Sequence, residues 1–255
     1  MLLAIDVGNT QITAGLFQKQ KLAAHWRLSS NRDRTEDETW TLMQAICQAN
    51  GFGMEQTTGI IISSVVPDMT SSLHKMATKY LNLEPVIVSH DLDLGIHNYY
   101  RNPANVGADR LCNAIAGFQK YGGPLIIVDL GTATTFDVID AKGDYLGGII
   151  APGIETSAMT LHQRAAKLPR IELRFPDQVI GRSTESSMQS GLLFGAVELI
   201  DGLIERINQE MGQEVKTVAT GGLGRVIIHE LRRVSEYDAF LTLDGMRMIY
   251  ERVKK

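Results

Sequence analysis

Two short apolar runs, Leu2–Ile5 and Leu125–Val128, each end at the same phrase: Asp6-Val7-Gly8 in the first half and Asp129-Leu130-Gly131 in the second. Runs of this length without alternation suit strands covered on both faces. After the first, apolar-polar patterning predicts strands near 11–17 and 22–28, an antiparallel meander. Residues 35–48 read as a helix, with Trp40, Met43 and Cys47 on one stripe and Thr35 and Glu38 forming a capping box. A strand over 59–66 is stopped by Pro67, and a helix near 69–80 and a strand near 85–89 follow. The second half repeats the order: strands near 125–130, 134–140 and 145–150, a long helix over 187–210, a strand over 215–220 and a helical tail. In the long helix Leu192, Leu193, Ala196, Val197, Ile200, Leu203, Ile204 and Ile207 form one wide apolar stripe. The pattern β-β-β-α-β-α-β thus occurs twice, Asp129 following Asp6 by 123 residues. It predicts a duplicated α/β protein of two similar lobes, 1–120 and 121–255, with a cleft between them.

Composition narrows the class. At 255 residues the chain can bury two modest cores, and 44% hydrophobic with 21% charged residues describes an ordinary globular protein. A net charge of −4 with no basic run gives no sign of a nucleic-acid partner. Two cysteines, Cys47 and Cys112, make no disulfide framework, so a cytoplasmic setting is expected; six scattered histidines suggest no zinc site. The first residues read as a buried strand rather than a signal peptide, and no window reaches the length of uninterrupted apolar sequence a membrane span needs.

No Walker A phrase and no G-x-G-x-x-G follows any strand. The Asp-x-Gly turns offer another route to nucleotide. Glycine lets backbone approach a ligand closely, turn amides form an anion site, and the carboxylate can hold a cation that bridges phosphates. One copy alone is an ordinary hairpin turn; two copies, each followed by small polar residues (Asn9, Thr10; Thr132, Thr134), point to a nucleoside triphosphate and phosphoryl transfer. Gly147-Gly148 with Pro152-Gly153 reads either as a strand-to-helix connection or as a bare surface for adenine or ribose. Gly221-Gly222-Leu223-Gly224 reads first as tight strand–helix packing. Asn105–Arg110 opens a helix; Asp109 suits a first turn, whereas Arg110 there opposes the macrodipole, which suggests a substrate carboxylate as its partner. Ser183 or Thr184 is an N-cap or a hydroxyl donor to substrate.

The ordered set Asp6–Thr10, Ser63–Pro67, Gly107–Arg110, Asp129–Thr134, Gly147-Gly148 with Pro152-Gly153, and Gly181–Thr184 resembles the type III pantothenate kinases over nearly the whole chain. The resemblance implies the acetate and sugar kinase/Hsc70/actin fold, a homodimer, and ATP-dependent phosphorylation of pantothenate to 4′-phosphopantothenate, the first step of coenzyme A synthesis. By that resemblance Asp6, Val7, Gly8, Asn9, Thr10, Gln11, Ile12 and Thr13 form the first phosphate loop, with Asp6 acting on Mg²⁺. Asp129 is implied as ligand of a required monovalent cation, K⁺ or NH₄⁺, and Gly131 and Thr132 as nucleotide contacts. Gly107, Ala108, Asp109 and Arg110 resemble the pantothenate site, with Asp109 as general base; Tyr100 and Thr184 are further implied contacts, Thr184 from the same subunit or its partner. A sugar or acetate kinase and a nucleotide-binding regulatory protein of the same fold stay as alternatives at this stage.

Overall fold

The computed structural model describes residues 1–254. Strands β1 (Leu2–Val7), β2 (Gln11–Gln18) and β3 (Lys21–Ser29) form the meander, followed by helix α1 (Glu36–Ala49), β4 (Gly59–Ser64), α2 (Pro67–Leu81), β5 (Val86–Ile87) and α3 (Ala108–Tyr121). The second pass is β6 (Leu125–Leu130), β7 (Ala133–Ile139), β8 (Tyr145–Pro152), α4 (Ile154–Arg164), α5 (Thr184–Met211), β9 (Lys216–Thr220), α6 (Gly224–Ile227), β10 (Glu236–Tyr237) and α7 (Leu241–Val253). The sheets run β3-β2-β1-β4-β5 and β8-β7-β6-β9-β10, so each strand of one has its counterpart in the other. In both, the Asp-x-Gly strand is central, antiparallel to its hairpin partner and parallel to the next strand.

Local chemistry accounts for the element boundaries. The α1 capping box is present: the Glu38 amide donates to Thr35 Oγ1 and the Thr35 amide to Glu38 Oε2. Pro67 ends the strand stretch and also opens α2, two residues before the expected start, because proline lacks only an amide that the first turn would leave unused. Helix α5 begins at Thr184 rather than 187, set by a reciprocal Ser183–Ser186 cap. Helix α4 had no predicted range beyond the strand-to-helix reading of Gly147–Gly153: it starts from Gly153 without a side-chain cap and buries only Ile154 of its residues, so its period is faint. The 85–89 strand shrinks to two residues.

The compact units are Met1–Gln119 with Leu241–Lys255, and Lys120–Phe240. The division differs from 1–120 and 121–255 at its end, since the final helix returns to the first sheet. Helix α7 packs on β1, β4 and β2. Side-chain-free positions make room for it: a Cβ on Gly15 would lie 2.9 Å from Leu243, and one on Gly59 would strike Tyr250. Gly245 of α7 abuts the Cys112 backbone of α3, and Thr242 Oγ1 donates to Asn113 Oδ1 at 2.8 Å.

The first core joins Leu3, Ile5, Ile12 and Ile62 to Met43, Leu73 and Met76. The second sets Ile126, Val128 and Phe136 against the α5 stripe Leu193, Val197, Ile200 and Ile204. Among the described residues α5 is the one helix long and apolar enough to cross a membrane; here that stripe is core, and the helix also carries Glu198, Asp201 and Glu205. Asp201 is buried and accepts from the Arg232 and Arg233 amides at 3.1 and 3.2 Å. Asp201→Ala leaves those amides without their acceptor, and the unfolding free energy should fall by about 1–3 kcal/mol, read by urea denaturation.

Candidate active site

In the first unit the hairpin turn Gly8–Gln11 closes with the Gly8 amide on the Gln11 carbonyl at 3.0 Å. Its carbonyls are held from the end of β3: Ser30 Oγ donates to Gly8 O at 2.6 Å and the Ser30 amide to Thr10 O at 2.9 Å. Asn9, Thr10 and Gln11 are exposed, while Val7 and Ile12 are each 1% exposed and belong to the core. Those two can therefore offer a ligand only main chain.

Asp6 stands at the end of β1, half-buried, and one oxygen accepts from Ser63 Oγ at 2.8 Å. Asp109 lies in the first turn of α3, where its Oδ1 accepts the Arg110 amide at 2.9 Å. Gly107 precedes it, and a side chain there would collide with the Asp109 carboxylate. Burial pushes the Asp109 carboxyl above its ordinary range; the Arg110 amide and the Arg110 guanidinium pull the other way without prevailing. Arg110 is itself buried.

Cys112 links these groups. It is fully buried one turn after Asp109, and burial, followed by the charges of Asp6 and Asp109, pushes its thiol well above the ordinary value, opposed by its contact with the Ser63 hydroxyl. Asp6 from β1, Ser63 from β4 and Asp109 from α3 therefore converge around one sulfur. Neither Ser63 nor Cys112 was a sequence candidate. The signals were present, since Ser63 is level with Asp6 in the parallel ladder and Cys112 is three residues from Asp109, but only strand pairing relates them. Tyr100 sits in the irregular stretch before α3, its amide on Asn98 Oδ1 at 3.0 Å.

In the second unit the turn after β6 is one residue shorter: Leu130 pairs with Thr134, whereas Val7 pairs with Ile12. Asp129 is half-buried and Thr132 exposed. The Thr132 carbonyl accepts the Gly153 amide at 3.2 Å and Thr156 Oγ1 at 2.6 Å, so α4 is seated on the turn. A Cβ on Gly153 would strike the Thr132 carbonyl. The Gly147–Gly153 phrase is thus strand β8 and a helix start. Gly221, after β9, lies against Asp129 and Leu130. Thr184 is the exposed first residue of α5, and Ser183 is the N-cap.

A duplicated five-stranded sheet with an Asp-x-Gly turn at the end of each central strand places the chain in the class of actin-like ATPase folds. Solved structures agree on the fold. One, described as a Baf family transcriptional activator from Campylobacter jejuni, is 21% identical with a TM-score of 0.59 and 98% of each chain covered. Another is the activator of 2-hydroxyisocaproyl-CoA dehydratase from Clostridium difficile with bound ADPNP, 10% identical with a TM-score of 0.58, over 99% of this chain and 95% of that one. The family model for type III pantothenate kinase matches residues 2–206, and the type III pantothenate kinase of Thermomicrobium roseum is 48% identical over 255 residues, 100% of this chain and 98% of that protein. The chain belongs to the type III pantothenate kinase family, and it is an ATP-dependent kinase of coenzyme A biosynthesis.

Proposed function

We propose that Asp109 is the general base that takes the proton from the primary hydroxyl of pantothenate as that oxygen attacks the γ-phosphorus of ATP. The supporting observation is that Asp109, whose carboxyl burial pushes up, and Asp6, a carboxylate suited to a phosphate-bound cation, both act on the buried Cys112 thiol. Among the described residues no group of three or more His, Cys, Asp or Glu could hold a metal. A single carboxylate fits Mg²⁺, which keeps several waters and arrives with phosphates. Asp6 would hold it, and the bound ion neutralises the charge on the phosphate oxygens. Asp129 would hold K⁺ or NH₄⁺.

Gly131 supports close approach of a nucleotide. Its backbone is not left-handed, and a Cβ there would meet nothing nearer than 3.6 Å, so the fold itself does not require glycine. Thr10 and Thr132, one within each turn, would be hydroxyl donors, and Gly8–Thr13 would supply main-chain contacts to phosphate. Arg110 would face the pantothenate carboxylate, Gly107 and Ala108 would line that site, and Tyr100 would complete it, with Thr184 supplied by the second protomer. The enzyme works as a cytoplasmic homodimer. Leu146 and Ile150 share the outward face of edge strand β8, and Met159, Val179 and Ile180 are 56%, 65% and 81% exposed, apolar surface of the kind a second copy covers.

The test is ADP formation by the purified protein with Mg²⁺ and ATP. Release should require pantothenate and be faster in K⁺ than in Na⁺; equal release without pantothenate defeats the reading. Arg110→Ala should raise the KM for pantothenate by about 30-fold or more, the loss of a buried carboxylate partner. An unchanged KM removes Arg110 from the substrate site.

A further inference from the structure

Residues level with one another on neighbouring strands put their side chains on the same face of a sheet. Asp6 is level with Thr13 on β2 and Ser63 on β4, so the carboxylate stands between two hydroxyl residues. The duplication repeats the arrangement: Asp129 is level with Thr135 on β7 and Thr220 on β9. In each sheet the parallel neighbour is the buried one, Ser63 at 0% and Thr220 at 1% exposure. The turns of the two halves differ in length, yet the hydroxyl stays level with the carboxylate in both. A hydroxyl retained in register with each carboxylate therefore belongs to the site rather than to chance packing.

The adjacent serines show what is particular about Ser63. Ser64 turns its hydroxyl to Val66, accepting that amide and donating to that carbonyl, both at 3.1 Å, which is local work at the start of α2. Ser63 donates to Asp6 Oδ1 at 2.8 Å, with the Cys112 sulfur close on another side. A carboxylate with one oxygen fixed in this way has its rotamer set before any ligand arrives.

We propose that Ser63 is a positioning residue: by holding one oxygen of Asp6 it sets the orientation in which that carboxylate meets the Mg²⁺ that accompanies ATP. The proposal rests on the role given to Asp6, and partners of this outer kind are worth about 10–100-fold in metal affinity. Calorimetric titration of ATP into the intact protein without pantothenate, in Mg²⁺ and separately in EDTA, tests it. Ser63→Ala should weaken ATP binding by about 10–100-fold in Mg²⁺ and leave binding in EDTA unchanged. Ser63→Thr, which keeps the hydroxyl, should return most of the affinity, and the KM for pantothenate should stay at the wild-type value in both. Asp6→Asn separates the two readings. Should it leave the Mg²⁺ dependence intact, the role of Asp6 fails; should Asp6→Asn abolish that dependence while Ser63→Ala keeps it, or should Ser63→Ala lose affinity equally in Mg²⁺ and EDTA, the role of Ser63 fails alone.

Discussion

Asp109→Asn is expected to lower turnover by about 10²–10⁴-fold, the usual contribution of a positioned general base, while MgATP still binds. Asparagine keeps the shape and can still cap the first turn of α3, so the loss isolates proton transfer. A second signature is the pH dependence. Burial holds the Asp109 carboxyl above its ordinary range, and the base acts only when ionised. The acid limb of kcat in the wild type should accordingly lie above the range of an exposed aspartate, with activity falling as the pH drops through it, and Asp109→Asn should abolish that limb. Stability must move the other way. A carboxyl whose folded pKa exceeds its unfolded value subtracts stability at pH above both and stops doing so as the pH falls through them. Asp109→Asn should therefore be at least as stable as wild type at pH 7. A variant that is inactive and also strongly destabilised would mean that Asp109 serves the fold, and undiminished turnover would mean that it is no base.

What the sequence made legible follows from the range of the interactions involved. Strand β1, strand β6, the α1 cap and the α5 stripe are set by neighbours a few residues apart, and their positions follow from local patterning. The chemistry-bearing residues Asp6, Asp129, Asp109 and Arg110 carried motif signals because each stands in an unusual local setting. Cys112 did not, and Ser63 stood only as the first residue of the Ser63–Pro67 phrase with no role attached: a serine at a strand end and a cysteine on a helix face are ordinary until β1 and β4 pair and α3 is laid beside them. The return of α7 to the first sheet was illegible for the same reason. Its periodicity shows a helix, but the glycines that receive it, Gly15 and Gly59, lie at the far end of the chain. Helix α4 had no predicted range because it buries so little. Gly153 shows the opposite case, a glycine whose two readings were equally open in sequence and which geometry assigns to seating a helix on the Thr132 carbonyl.

Gly221→Ala is expected to be strongly destabilising, because backbone strain and crowding meet at one position. Gly221 has φ +92°, and a Cβ there would lie 2.5 Å from Asp129 Oδ1, 2.6 Å from the Leu130 nitrogen and 2.7 Å from the Leu130 carbonyl carbon. Backbone strain of about 1–3 kcal/mol and overpacking of about 1–3 kcal/mol both apply. The turn has little freedom to retreat, because Tyr237 Oη donates to the Gly221 carbonyl at 2.8 Å and the Gly224 amide to the same oxygen at 3.2 Å. The carboxylate of Asp129 is the softer of the contacts, so it should be the group displaced. The expected result is a loss of about 2–6 kcal/mol in urea unfolding, with a rise in the K⁺ concentration needed for half-maximal activity. Gly212→Ala supplies the control, since Gly212 also has positive φ, +67°, at the end of α5, but a Cβ there would meet nothing within 4 Å. It should show backbone strain alone and an unaltered K⁺ response. If the two variants lose the same stability, crowding against β6 contributes nothing; if Gly221→Ala keeps the wild-type K⁺ response, Asp129 is not the monovalent-cation ligand or is not moved by the turn behind it.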